Sequence, residues 1–293
     1  MTERALVLGG GGANGNAWTI GVVAGLFDAG LDVTDADLIV GTSAGATTAA
    51  QITSAPPAKL LAEILASTSQ PRLGRDNSAS GPQPVADHMQ RTDAIFKAAE
   101  DASNLRRRIC LAALEMDIGS DGSDQKRWRS IVASRLPNQN WPQQNLLITV
   151  IDTGSFEPAV FDRHSGVDLV DAVAASTSNG FGVPPYTIGN KRYIDGGYPS
   201  ADNAALAAGY TRVMILSPFG GRSRAPLTWG VHLAAQVDGL RMSGSKVETV
   251  FPDSASRDAF GMNMMDLSAR PASAQAGFNQ GKSLAAQLTE FWR

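Results

Sequence analysis

The apolar run Leu38-Ile39-Val40 stops abruptly at Gly41-Thr42-Ser43-Ala44-Gly45 and continues into Ala46-Thr47-Thr48-Ala49-Ala50. A strand cannot pass into a helix through so few residues without a sharp turn, and glycines on either side of a serine supply one. Such a turn leaves the Ser43 side chain standing exposed at the strand end. The small residues that follow form a helix slim enough to pack directly behind it. An ordinary Gly/Ser-rich turn has the same letters, so the remainder of the chain decides between a nucleophile elbow and a plain loop.

Upstream, Ala5-Leu6-Val7-Leu8 predicts a buried strand, Gly9 to Gly12 a loop, and Ala17 to Ala29 a helix stopped by Gly30. With the strand at 38–40 and a helix from Ser43 to about Ser54, the first 54 residues alternate strand and helix. That alternation predicts an α/β fold with a parallel sheet and helices on its faces. Helical spacing resumes at 58–66, where Leu60, Leu61, Ile64 and Leu65 share a face, and again over about 85–116 and 124–135. Residues 69–84 read as a long exposed loop. Strands are expected at 146–152, 158–162 and 213–217, and helices at 168–176, 230–242 and 284–292. No linker or repeat divides the chain, so residues 1–293 are expected to form one domain, with a cap or mobile loop at about 55–116.

A net charge of -3 leaves no footprint for nucleic acid. The basic run Arg106-Arg107-Arg108 reads as a solvated helix face, with anionic lipid head groups as the weaker alternative. A single cysteine, Cys110, excludes an intrachain disulfide and any Cys-based metal cluster, and its apolar neighbours make it a small buried hydrophobe. The first apolar run is too short for a secretory signal, and no stretch approaches the roughly 20 apolar residues of a membrane span. These features predict a cytoplasmic protein whose membrane contact, if any, is peripheral.

Gly10-Gly11-Gly12-Ala13-Asn14-Gly15 matches the dinucleotide-binding pattern letter for letter, through Gly10, Gly12 and Gly15. Asp32 and Asp35 stand about 20 residues on, but they precede the second strand, whereas a ribose-binding acid belongs at its far end. That far end is occupied by Gly41 and Ser43. The glycines serve a serine nucleophile better: backbone N–H groups of Gly10, Gly11 and Gly12 would face a neighbouring strand end as an oxyanion hole, each worth about 3 kcal/mol. For the base there are three histidines, His88, His164 and His232. The order Ser43, Asp195, His232 formally fits an α/β-hydrolase triad, although His232 falls in the helical-looking stretch Thr228–Leu240. The other base is Asp195 itself, where Tyr193-Ile194 ends a strand and Gly196-Gly197 turns the backbone beside the carboxylate.

Three motifs in this order, Gly10-Gly11-Gly12-Ala13-Asn14-Gly15, Gly41-Thr42-Ser43-Ala44-Gly45 and Asp195-Gly196-Gly197, resemble those of the patatin-like phospholipase family of lipid acyl hydrolases. The likeness includes Ala175-Ser176-Thr177-Ser178 and Pro184-Pro185, and spans about residues 5–217. It implies a three-layer α/β/α sandwich with a mostly parallel central sheet, and a Ser43–Asp195 dyad with no cofactor, metal or histidine required. The substrate it implies is a lipid or acyl ester. Where the family usually carries Arg or Lys this chain has Asn14, and Asn179-Gly180 stands where a proline is common.

Overall fold

Strand β1 (Arg4–Leu8) forms the middle of the molecule, because its side chains alternate between two buried faces. Leu6 and Leu8 enter one apolar cluster while Ala5 and Val7 enter another on the opposite face. The computed structural model describes residues 3–67, 82–117 and 122–293, with the backbone alone over 82–89. Around β1 are β2 (Leu38–Gly41), β3 (Asn145–Asp152), β4 (Pro158–Phe161), β5 (Tyr186–Ile188), β6 (Lys191–Asp195), β7 (Arg212–Leu216) and β8 (Lys246–Val250). They form one sheet in the order β5-β6-β3-β2-β1-β7-β8, with β4 paired to β3. The five strands β3, β2, β1, β7 and β8 are mutually parallel, whereas β4, β5 and β6 join by antiparallel pairing.

Helices cover both faces, completing the three layers. The Leu6/Leu8 face carries α1 (Gly12–Asp28), α2 (Ala44–Ile52), α3 (Pro57–Ala66), α6 (Ser123–Arg135), α7 (Leu169–Ser176), α9 (Ser254–Phe260) and α10 (Arg270–Trp292). The Ala5/Val7 face is covered by α8 (Leu233–Met242) and the short helical turn Ala204–Ala207. A third cluster joins α4 (Pro82–Ala98) and α5 (Ala102–Met116) to Ile151 and Ile194 beyond the parallel strands.

Several sequence expectations need correction. Helix α1 begins at Gly12, well before Ala17, because Asn14 in its first turn is anchored to carbonyls of residues 260, 263 and 264 outside the helix. Helix α10 begins at Arg270 rather than 284. Apart from Pro271 and Phe278, its added turns carry glycine, alanine and polar residues, which show no apolar stripe yet pack backbone to backbone on α1. Strand β8 and helix α9 were not anticipated; β8 is an edge strand with polar Lys246, Glu248 and Thr249. The α3 stripe of Leu60, Leu61 and Ile64 is buried in the main core. Of the expected loop at 69–84, residues 69–81 lie outside the described residues. Arg106 is no solvated residue: its side chain is 13% exposed and pairs with Glu157 at 2.8 Å. Cys110 is buried, and desolvation pushes its thiol up to about 12.

Candidate active site

The backbone at Ser43 has φ 55 and ψ -117, a conformation that L side chains rarely adopt and that costs about 1–3 kcal/mol. The neighbouring glycines explain why the chain tolerates it. A Cβ on Gly45 would strike the carbonyl oxygen of Leu8, at the end of β1, and one on Gly41 would lie 2.6 Å from Ala46 Cα. Helix α2 can therefore start immediately after β2, and Ser43 is left half-buried at the strand end. The elbow is fixed by Ser176 at the end of α7, whose Oγ accepts the Ser43 N–H at 3.0 Å.

Asp195 ends β6, pairing with Val150 of β3, and its N–H donates to the Ser178 carbonyl at 2.8 Å. The Ser176 and Ser178 of one short stretch thus hold the backbones of both Ser43 and Asp195. The Asp195 carboxylate accepts the Gly197 N–H at 2.8 Å, and the Ser43 hydroxyl lies close enough to act on it. Burial pushes its pKa up to about 6, partly offset by those two donors. Tyr198, whose phenol is also pushed up by burial, lies close enough to feel the Asp195 charge.

The glycine-rich loop reaches the same end of the sheet, but its donors are not equivalent. The Gly10 N–H donates to the Ala201 carbonyl at 2.8 Å, so it is not free to meet an oxyanion. Among the described residues no acceptor meets the N–H groups of Gly11 and Gly12. Gly15 lies inside α1, where a Cβ would come within 2.9 Å of Pro218 Cβ. Asn14 is fully buried: its N–H donates to the Met264 carbonyl at 3.0 Å, and its Nδ2 to the carbonyls of Phe260 and Asn263, each at 3.1 Å. The amide at this position is a strut that holds residues 260–264 against the start of α1.

That strut weakens the dinucleotide alternative, since an N–H a pyrophosphate would need is spent on Met264. Asp32 accepts from Thr34 and Asp35 pairs with Arg4, both ahead of β2 and away from the loop. Among the described residues no hydrogen bond joins a histidine to Ser43 or Asp195. His232 precedes α8 instead of lying within it, and its buried Nδ1 has no partner among the described residues. His164 sits in the polar turn 162–165, by the starts of β2 and β3 and so at the opposite end of the sheet. The His88 side chain lies outside the described residues. Among the described residues no group of His, Cys, Asp and Glu is placed to hold a metal ion, and no helix is long and apolar enough to cross a membrane.

A strained serine, a buried aspartate on it and a glycine-rich loop beside them invite comparison with known families. The model of the patatin-like phospholipases matches residues 6–208. The chain belongs to that family. Its activity class is therefore that of a lipid hydrolase. Among solved structures it is similar to VipD from Legionella pneumophila, with 14% identity and a TM-score of 0.43, covering 98% of this chain and 67% of VipD. It is also similar to the type III effector protein ExoU, with 16% identity and a TM-score of 0.37, covering 96% of this chain and 54% of that one. No curated protein matches the sequence significantly.

Sequence reading picked out Ser43, Asp195 and their flanking glycines. It quoted Ser176 and Ser178 without a role and overlooked Asn203. The signal for Ser176 and Ser178 is their position just ahead of the strand that ends in Asp195.

Proposed function

We propose that this patatin-like protein is a serine esterase acting on lipid acyl esters, as a phospholipase A or lysophospholipase does, through a Ser43–Asp195 dyad. The observation that carries the reading is the Ser43 hydroxyl set close enough to a buried Asp195 carboxylate to lower its pKa, on a serine held at φ 55. Asp195 takes the Ser43 proton as Oγ attacks the acyl carbonyl. The N–H groups of Gly11 and Gly12 meet the tetrahedral oxyanion, aided by the N-terminal ends of α1 and α2. Collapse expels the alcohol, which leaves with the proton from Asp195. Water then attacks the acyl-serine with Asp195 again as base, releasing the carboxylic acid and restoring Ser43.

A base at about 6 is ionised at neutral pH, yet its proton affinity lies nearer the operating pH than that of an ordinary aspartate. Helices α4 and α5 supply the cap in this reading. Phe96 of α4 lies 6.5 Å from the Tyr198 ring, and the surrounding cluster is apolar, as an acyl chain requires. The protein reaches its substrate at a lipid surface by peripheral contact. The test is release of fatty acid from phospholipids, lysophospholipids and short acyl esters by the wild type, Ser43→Ala and Asp195→Asn. Wild-type turnover persisting in both variants would overturn the dyad.

A further inference from the structure

Ser43 and Asp195 come from strands that are not neighbours, since β3 lies between β2 and β6. The β2–β3 ladder has its last pair at Gly41 and Ile148, and the β3–β6 ladder has one of its terminal pairs at Asp195 and Val150. Ser43 stands past the last β2–β3 pair and Asp195 in a terminal pair of its own ladder, so the ladders alone set the gap between the two side chains only loosely.

One side chain bridges all three strand ends. Asn203 Nδ2 donates to Thr42 Oγ1 at 3.0 Å and to the Gly196 carbonyl at 3.1 Å, with a longer 3.4 Å approach to Thr149 Oγ1. Thr42 precedes the serine, Gly196 follows the aspartate, and Thr149 lies on β3 between them. The Thr149 hydroxyl in turn donates to Thr42 Oγ1 at 3.0 Å, and Thr42 and Thr149 are buried. An amide nitrogen has two hydrogens, so the two short bonds use its full capacity. The backbone at Asn203 is left-handed, at φ 50 and ψ 36, which asparagine adopts more readily than most residues. The same turn holds the oxyanion loop, through Ala201 and the Gly10 N–H.

Resting on the dyad reading above, we propose that Asn203 is a positioning residue that sets the separation of Ser43 and Asp195 by tying Thr42 to Gly196. It touches neither substrate nor the reacting atoms. Its effect falls on the chemical step and not on substrate binding. The groups acting on Asp195 are the Ser43 hydroxyl and the Gly197 N–H, with the Tyr198 phenol nearby and no charged side chain contributing among the described residues. A lengthened Ser43–Asp195 bond removes one of the two contacts that restrain the carboxyl, so the acid limb of activity moves to higher pH.

Two variants separate the amide from the backbone. Asn203→Gly keeps the left-handed turn and deletes the donor; Asn203→Asp keeps size and turn preference and also deletes it. With a soluble acyl ester, both are expected to lose roughly tenfold or more in kcat with KM within about twofold, the scale of a small misplacement of reacting groups. Asn203→Gly, which adds no charge, also shifts the acid limb upward while melting close to the wild type. Wild-type kcat in both variants would overturn the proposal. So would a loss that merely follows the folded fraction with the acid limb unmoved. If Ser43→Ala and Asp195→Asn are inactive while both Asn203 variants are normal, only the positioning role fails. If the dyad variants are active, both readings fall together.

Discussion

Glycine does two different jobs in this molecule, at the elbow and along the seam between α1 and α10. At the seam, a Cβ on Gly21 or Gly25 of α1 would strike the carbonyl oxygen of Ala274 or Phe278. A Cβ on Gly277 or Gly281 of α10 would strike that of Trp18 or Val22. The spacing i, i+4 on both helices places backbone against backbone over two turns. Beside it, Trp18 donates to Gln280 Oε1 at 3.0 Å and Ser256 Oγ at 3.1 Å. At the elbow, Gly41 and Gly45 also admit close backbone approach, but to β1 and α2, and the result is one serine in a strained conformation. Close approach at the seam is an end in itself, because it buries a helix. At the elbow it serves to expose a nucleophile.

The comparison predicts separable losses, the largest at the elbow. Ser43→Ala is expected to lower ester turnover by about 10³-fold or more with an unchanged melting temperature; a fall in melting temperature of similar rank to a seam variant would erase the distinction. Gly277→Val is expected to do the reverse. It forces a side chain onto Trp18 O, costs about 1–3 kcal/mol or more, and lowers thermal stability while the folded fraction keeps wild-type kcat. Calorimetry paired with active-site titration checks this.

Next in size is the pH response of Asp195, which the seam should not share. Activity is expected to fall as pH drops through about 6, where the base takes up its proton. Stability runs the other way. Because the folded value is raised from 3.8 to about 6, the stabilising proton is fully present below about 3.8 and is lost as pH rises through 6. Asp195→Asn should therefore melt above the wild type at pH 8 while failing to turn over. Asp202, buried and also pushed up to about 6 by desolvation, contributes to the stability curve with the same sign. Asp202→Asn leaves the acid limb of activity in place, and a shifted limb would assign it to Asp202 instead. The smallest effect is expected at Gly10→Ala. Its Cβ would meet Ser43 Cβ at 3.5 Å, an ordinary contact, and its N–H is already committed, so kcat is expected to stay within a few-fold.

The elbow was legible in the sequence because short apolar strands broken by glycine leave few alternatives. The same applies to the alternation of elements through the first 54 residues and to the order of the three motifs. The seam was not legible. Residues 270–283 pack through absent side chains, and a hydrophobic pattern cannot register atoms that are missing. The start of α1 was misplaced for a related reason, since its first turn is anchored by carbonyls of residues 260, 263 and 264. Within the site, Ser43 and Asp195 could be found by motif. That Gly10 is spent on Ala201, and that Asn203 joins Thr42 to Gly196, depends on a turn whose neighbours only the folded chain defines.

The seam also imposes an order in time. Helix α1 follows directly from the glycine loop, yet its Gly21 and Gly25 face is covered by residues 270–292, which are synthesised long afterwards. A nascent or clipped chain lacking them carries all three sequence motifs while leaving that face of α1 uncovered. Such fragments present an apolar helix face to chaperones and proteases. If the proposed function holds, a chain ending before residue 270 is expected to release no fatty acid, which an ester-hydrolysis assay on that truncation checks.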